Sequence, residues 1–139
     1  MIRIREIDHL VLRVINLSDM IAFYRDVLGC RVEKRQTSIG LTQLRAGNSL
    51  LDLVEVNSEL GRTGGAAPGQ EGLNLDHFCF RIDPFDAAEV IKHLETFGLQ
   101  PGEVASRYGA EGFGESVYVN DPEGNTVELK GPPDPLHSP

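Results

Sequence analysis

The chain is poor in cysteine, short of basic residues, and without a long hydrophobic run. Cys30 and Cys79 are its two cysteines among 139 residues. Two cysteines build no disulfide framework, and a reducing compartment fits them. Thirteen Lys and Arg stand against twenty-one Asp and Glu, a net charge of −8. That balance argues against a basic patch for nucleic acid or an anionic membrane surface. No apolar stretch approaches the roughly twenty residues that cross a membrane. The opening residues, Met1-Ile2-Arg3-Ile4-Arg5-Glu6, alternate charge and lack the apolar core of a signal peptide. A cytoplasmic location is therefore expected. What is present is an ordinary globular mixture, 40% hydrophobic and 24% charged, in a length that suits one domain with its own core.

The chain repeats itself. Residues 7–14 read Ile-Asp-His-Leu-Val-Leu-Arg-Val, and residues 75–82 read Leu-Asp-His-Phe-Cys-Phe-Arg-Ile. Asp, His and Arg recur in register, with apolar residues matched between them. A helical pattern follows each segment. The first carries Met20, Ile21, Phe23, Tyr24, Val27 and Leu28, with Ser18 as expected N-cap and Gly29 as stop. The second carries Val90, Ile91, Leu94 and Phe97, with Asp86 and Glu89 spaced as a capping box and Gly98 as stop. Alternating stretches then predict strands over 31–36, 41–46 and 50–56, and over 103–107, 115–120 and 126–130. Each half thus reads strand, helix, strand, strand, strand. The expected modules are 5–56 and 74–131 within one domain over 5–131, joined by a Gly-rich linker at 57–73. The stretch 107–114 reads as a mobile loop, and the proline-rich tail 132–139 as disordered.

Strand parity selects the residues that carry chemistry, because alternate side chains share a face. Leu10, Leu12 and Val14 form one face of the first strand; His9, Val11 and Arg13 form the other. In the repeat, Phe78, Phe80 and Ile82 oppose His77, Cys79 and Arg81. The apolar faces suit the helices, and the opposite faces suit a common concavity. The last strand of each half adds a mid-strand acid to that concavity, Asp52 in one and Glu128 in the other. Such an acid is costly among apolar neighbours unless it is paired or binds a cation. Each half therefore offers one imidazole and one carboxylate, a donor set suited to Zn, Ni, Co, Mn or Fe. Asp52, one methylene shorter than Glu128, either ligates directly or acts through water. Tyr118 shares the concave face and is a candidate donor to a bound oxygen. Arg13, Arg81 and Arg107 are candidate substrate anchors, although Arg13 and Arg81 equally suit bridges to Asp8, Asp76 or Glu6. His93 and His137 are expected in solvent.

These residues resemble the vicinal oxygen chelate superfamily, which contains glyoxalases, bleomycin-resistance proteins and extradiol dioxygenases. The matching motifs are Ile7-Asp8-His9-Leu10, Phe23-Tyr24-Arg25-Asp26-Val27-Leu28-Gly29, Leu75-Asp76-His77-Phe78, and Asp121 through Leu129. The resemblance implies an α+β fold of paired βαβββ modules, a curved mixed sheet around a cleft that holds a divalent metal. By motif position it implies His9, His77 and Glu128 as metal ligands. The second-ligand position, Glu or Gln in some branches, falls on Asp52. It further implies a small-molecule substrate and a homodimer, with modules pairing within a chain or across two. The expected activity is a metal-dependent, glyoxalase-like lyase or isomerase acting on a small α-oxygenated substrate, with Glu128 or Asp52 as base. The alternatives are a fosfomycin-type thiol transferase using Arg45, Arg81, Arg107 and Lys130 as phosphonate cations, an extradiol-type dioxygenase, and a non-catalytic binding protein.

Overall fold

The computed structural model describes residues 1–135; His137 and the rest of the expected tail from residue 136 lie outside the described residues. The chain forms two compact units, Met1–Asn74 and Leu75–Pro139. In the first, β1 (His9–Val14) leads into α1 (Leu17–Ala22), a π-helical turn at Phe23–Val27, then β2 (Arg31–Gln36), β3 (Leu41–Ala46) and β4 (Ser49–Glu55). In the second, β5 (Phe78–Arg81) leads into α2 (Ala87–Thr96), then β6 (Ala105–Gly109), β7 (Gly112–Asn120) and β8 (Thr126–Lys130). Both sheets have the same plan. The first and last strands of a unit lie side by side and parallel, and the remaining pairs are antiparallel. The orders are β1-β4-β3-β2 and β5-β8-β7-β6. The parallel pair is possible because a helix provides the crossover that parallel strands require. This is the α+β arrangement of βαβββ units that the repeat implies.

The cores follow the parity of the strands. In the first unit Leu12, Val14, Met20, Tyr24, Leu44, Leu51 and Leu53 are fully buried. The π-helical turn places Phe23 and Tyr24 edge to face, 5.0 Å between ring centroids, and buries both. Such a pair adds to the hydrophobic gain of burial by about 1 kcal/mol. In the second unit the core is Phe78, Leu94, Val117, Val119, Val127 and Leu129, and α2 packs on β7. The helices stop where Gly29 and Gly98 take positive φ, 77° and 73°, a conformation that glycine adopts without strain.

Two local expectations change. α1 is capped by Asn16, whose side chain accepts from the Asp19 backbone N–H at 3.1 Å, and not by Ser18. The helix starts two residues earlier than the hydrophobic pattern suggests, so the residue three before Asp19 takes the cap. The stretch 107–114 is a hairpin and not a loop. Gly109 pairs with Gly112, and Arg107 with Gly114. Its glycines permit a tight reversal and close strand contact. The 57–73 segment contains a 3₁₀ turn at Gly61–Gly64 and is fastened by Arg13, as described below. An Asn16→Ala change should lower stability by about 1 kcal/mol in urea unfolding, while Ser18→Ala leaves it within roughly half that value. The reverse order would return the cap to Ser18.

Candidate functional site

Strand register brings the chemical residues together within each unit. On the first sheet Val11 lies beside Asp52, and Asp52 beside Gln43. On the second sheet Cys79 lies beside Glu128, and Glu128 beside Tyr118. The two units are thus equivalent position by position. Asp52 corresponds to Glu128, Gln43 to Tyr118, and the histidine two residues before Val11 to the one two residues before Cys79.

In the second unit the set is compact. His77 Nε2 lies 3.4 Å from Glu128 Oε1. On its other side, His77 Nδ1 bonds Asp76 Oδ1 at 2.5 Å. The ring is thus held by Asp76 through one nitrogen, with its other nitrogen facing the buried carboxylate. Tyr118 stands edge-on to His77, 5.5 Å between centroids. It lies beside Glu128 in strand register. Burial first, then the charge of Glu128, hold its pKa above the ordinary phenol value, against the opposing pull of Arg107. Arg107 lies over the Tyr118 ring at 4.5 Å, a cation–π contact that fixes the ring plane.

In the first unit His9 Nδ1 bonds Asp8 Oδ2 at 2.7 Å. That bond raises the imidazole pKa most; the charge of Asp52 raises it further, against desolvation. Asp52 is 4% exposed, and the Gln43 amide donates to both of its oxygens at 3.3 Å. Sequence reading missed Gln43. Its signal was available: it occupies the β3 position directly opposite the mid-strand acid, as Tyr118 does on β7. It also missed the use of Asp8 and Asp76, which orient the imidazoles beside them, not the arginines. The repeated Asp-His dipeptide carries that information.

The arginines are committed to the fold. The Arg13 guanidinium donates to the carbonyls of Gly65 at 3.1 Å and Ala66 at 2.7 Å, with a longer bond to Gly61, and so ties down the 61–66 segment. Arg81 bonds Glu111 and the Ile82 carbonyl. Arg45 forms a two-pronged pair with Glu33. Arg107 donates to the Ser116 carbonyl and hydroxyl. Of the four cations a phosphonate pocket would need, Arg45 and Arg81 are therefore already ion-paired.

The donor set fits a divalent cation. Asp52 and Glu128 are buried carboxylates, and among the described residues neither has a Lys or Arg within ion-pair distance. An uncompensated buried anion is expensive, and a cation ligated by it and by a neighbouring neutral imidazole removes the cost. In the second unit that nitrogen–oxygen pair is His77 and Glu128; in the first, His9 and Asp52 hold the corresponding register positions. Among the described residues no group of three or more His, Cys, Asp or Glu side chains stands ready to hold a metal.

The sequence model of the Glyoxalase/Bleomycin resistance protein/Dioxygenase superfamily matches residues 6–129. The chain belongs to that superfamily. Members similar to it include a glyoxalase domain-containing protein of Mycosarcoma maydis, 33% identical over 128 residues, which cover 91% of this chain and 68% of that one. A virulence protein of Salmonella typhimurium is 32% identical over 129 residues, covering 91% of this chain and 83% of that protein. The crystal structure of that virulence protein aligns with a TM-score of 0.78 over 94% of this chain and 99% of the other. A lactoylglutathione lyase from Agrobacterium tumefaciens, 24% identical with a TM-score of 0.65, covers 91% of this superfamily member and 92% of its own chain, and shares the fold. No helix among the described residues of this superfamily member is long and apolar enough to cross a membrane.

Cys79 reports on the charge at this site. Its thiol is pushed up to about 11 by burial first and then by Glu128, with Lys130 opposing. Although Cys79 is exposed as a residue, its thiolate at pH 8 should be about a hundredfold scarcer than that of an ordinary thiol. Alkylation followed by peptide mass spectrometry should be slow, and Glu128→Gln should speed it. An unmodified rate in Glu128→Gln would contradict the charge placed beside it.

Proposed function

We propose that this protein is a divalent-metal-dependent lyase or isomerase of glyoxalase type, acting on a small α-oxygenated substrate such as a thiol adduct. The observation that carries the reading is the His77–Glu128 pair, with Nε2 turned to the carboxylate and Nδ1 held by Asp76. His9, His77, Glu128 and Asp52 are the proposed ligands of Zn, Ni, Co, Mn or Fe. A complete set of donors comes, in this reading, from two such units, either of one chain or of the two chains of a homodimer. When bound, the cation would polarise the α-oxygen and acidify the adjacent C–H.

The chain's own residues supply the rest. Glu128, or Asp52 where it is not a tight ligand, takes the proton from carbon and returns it. The Tyr118 hydroxyl, beside Glu128 in register, offers a proton to a developing oxyanion. The Gln43 amide orients Asp52. Asp8 and Asp76 set the imidazole tautomer. The net charge of −8 suits small-molecule partners, and a cytoplasmic location is proposed with them.

Metal content after purification without chelator, and turnover of methylglyoxal with a panel of thiols, test this reading. Wild-type protein should hold stoichiometric divalent metal and lose turnover on dialysis against EDTA. His77→Ala should lose both metal and turnover. Asp76→Asn should keep the fold and weaken metal binding about 10–100-fold. A wild-type protein that takes up no divalent metal contradicts the catalytic reading. Ligand affinity unchanged in His77→Ala, with no turnover in either protein, would favour sequestration of a small molecule.

A further inference from the structure

Among the described residues of the second unit, Lys130 is buried with no carboxylate at ion-pair distance. Lys130 ends β8, two residues beyond Glu128 and on the same face, and is 7% exposed. Its ammonium donates to the Gly114 carbonyl at 3.1 Å. Among the described residues no carboxylate lies within ion-pair distance of it. An ammonium carries three donors, so a single carbonyl leaves most of its capacity and all of its charge unmatched. Burying such a group is costly.

The fold nevertheless makes room for it. A Cβ at Gly109 on β6 would stand 2.6 Å from Lys130 Cε, and one at Gly114 on β7 would stand 2.8 Å from Nζ. Gly109 thus leaves the lysine stem its place against the hairpin, while a Cβ at Gly114 would meet the Pro132 carbonyl first. Arg81, beside Lys130 in register, is drawn away by Glu111 and the Ile82 carbonyl. Arg107 also lacks a carboxylate partner among the described residues, but its guanidinium is spent on Ser116 and on the Tyr118 ring.

We propose that Lys130 is the anion-binding residue of this face, seated by Gly109 and Gly114 to take the carboxylate of a small α-oxygenated acid. The other end of that acid lies at His77 and Glu128. Glu128 and Lys130 lie about 7 Å apart at the backbone of β8, and the Lys130 ammonium reaches on toward Gly114, so the proposed acid carries its carboxylate at the end remote from its α-oxygen. The oxygen end rests on the metal-dependent reading above; the anion end does not, and is tested in metal-free protein.

Malate and its neutral dimethyl ester serve as probes, titrated calorimetrically into EDTA-treated, dialysed protein. Wild-type protein should bind malate and discriminate against the ester. Lys130→Met should weaken malate binding at least about tenfold, the loss of a charge-assisted hydrogen bond. Gly109→Ala, which keeps the charge but displaces Lys130 Cε, should weaken it as well. Zn(II) affinity, measured separately on the same proteins, should stay within about threefold of wild type, since the ligands are untouched. Equal malate affinity in wild type and in both folded variants would overturn the proposal, as would a wild type that binds neither probe. Malate binding lost in the variants while no protein binds Zn(II) would uphold the anion site and remove the metal reading alone.

Discussion

Two carboxylates buried in mid-strand, without a Lys or Arg partner among the described residues, set the terms for this protein. Asp52 and Glu128 sit on last strands of their units, flanked by side chains that are themselves buried. A hydrophobic residue at either place would satisfy the packing at less cost. Each acid is instead furnished with the same equipment: a histidine on the parallel neighbour strand, and a hydrogen-bond donor on the antiparallel one. The histidines in turn lean on the aspartates before them in sequence. That arrangement makes sense of the retained charge as the negative half of a cation site.

The two units share a plan and differ in what surrounds the acid. Beside Asp52 stand Val11 and Gln43 in register, with Leu50 and Val54 on the same face of β4. Beside Glu128 stand Cys79 and Tyr118 in register, with Thr126 and Lys130 on the same face of β8. Duplication supplies the paired donors. Divergence leaves mostly aliphatic residues next to Asp52 and more polar ones next to Glu128.

Much of this was legible in the sequence, for a physical reason. Strand parity is strict, so once the repeated Asp-His segments were aligned, the faces of His9, His77, Asp52 and Glu128 followed. Helix stops at Gly29 and Gly98 and the Asp86 cap were equally plain, because they depend on a few adjacent residues. The partners of long side chains were not legible. Arg13, Arg81 and Arg107 reach several residues from their own strand, and which carbonyl or carboxylate captures each depends on the path of segments far off in sequence. Gln43 escaped notice because cross-strand register, and not spacing along the chain, puts it opposite Asp52. The hairpin at 109–112 escaped because glycines that permit a tight reversal look, one residue at a time, like those of a loose loop.

The central claim is that His77 and Glu128 belong to the coordination sphere of a divalent cation. X-ray absorption spectroscopy on the zinc-loaded protein addresses it most directly. The account predicts imidazole scattering and light oxygen donors around the zinc, with the imidazole contribution reduced in His77→Ala and the oxygen contribution altered in Glu128→Gln. Zinc surrounded by water alone, with a spectrum identical in all three proteins, would contradict it.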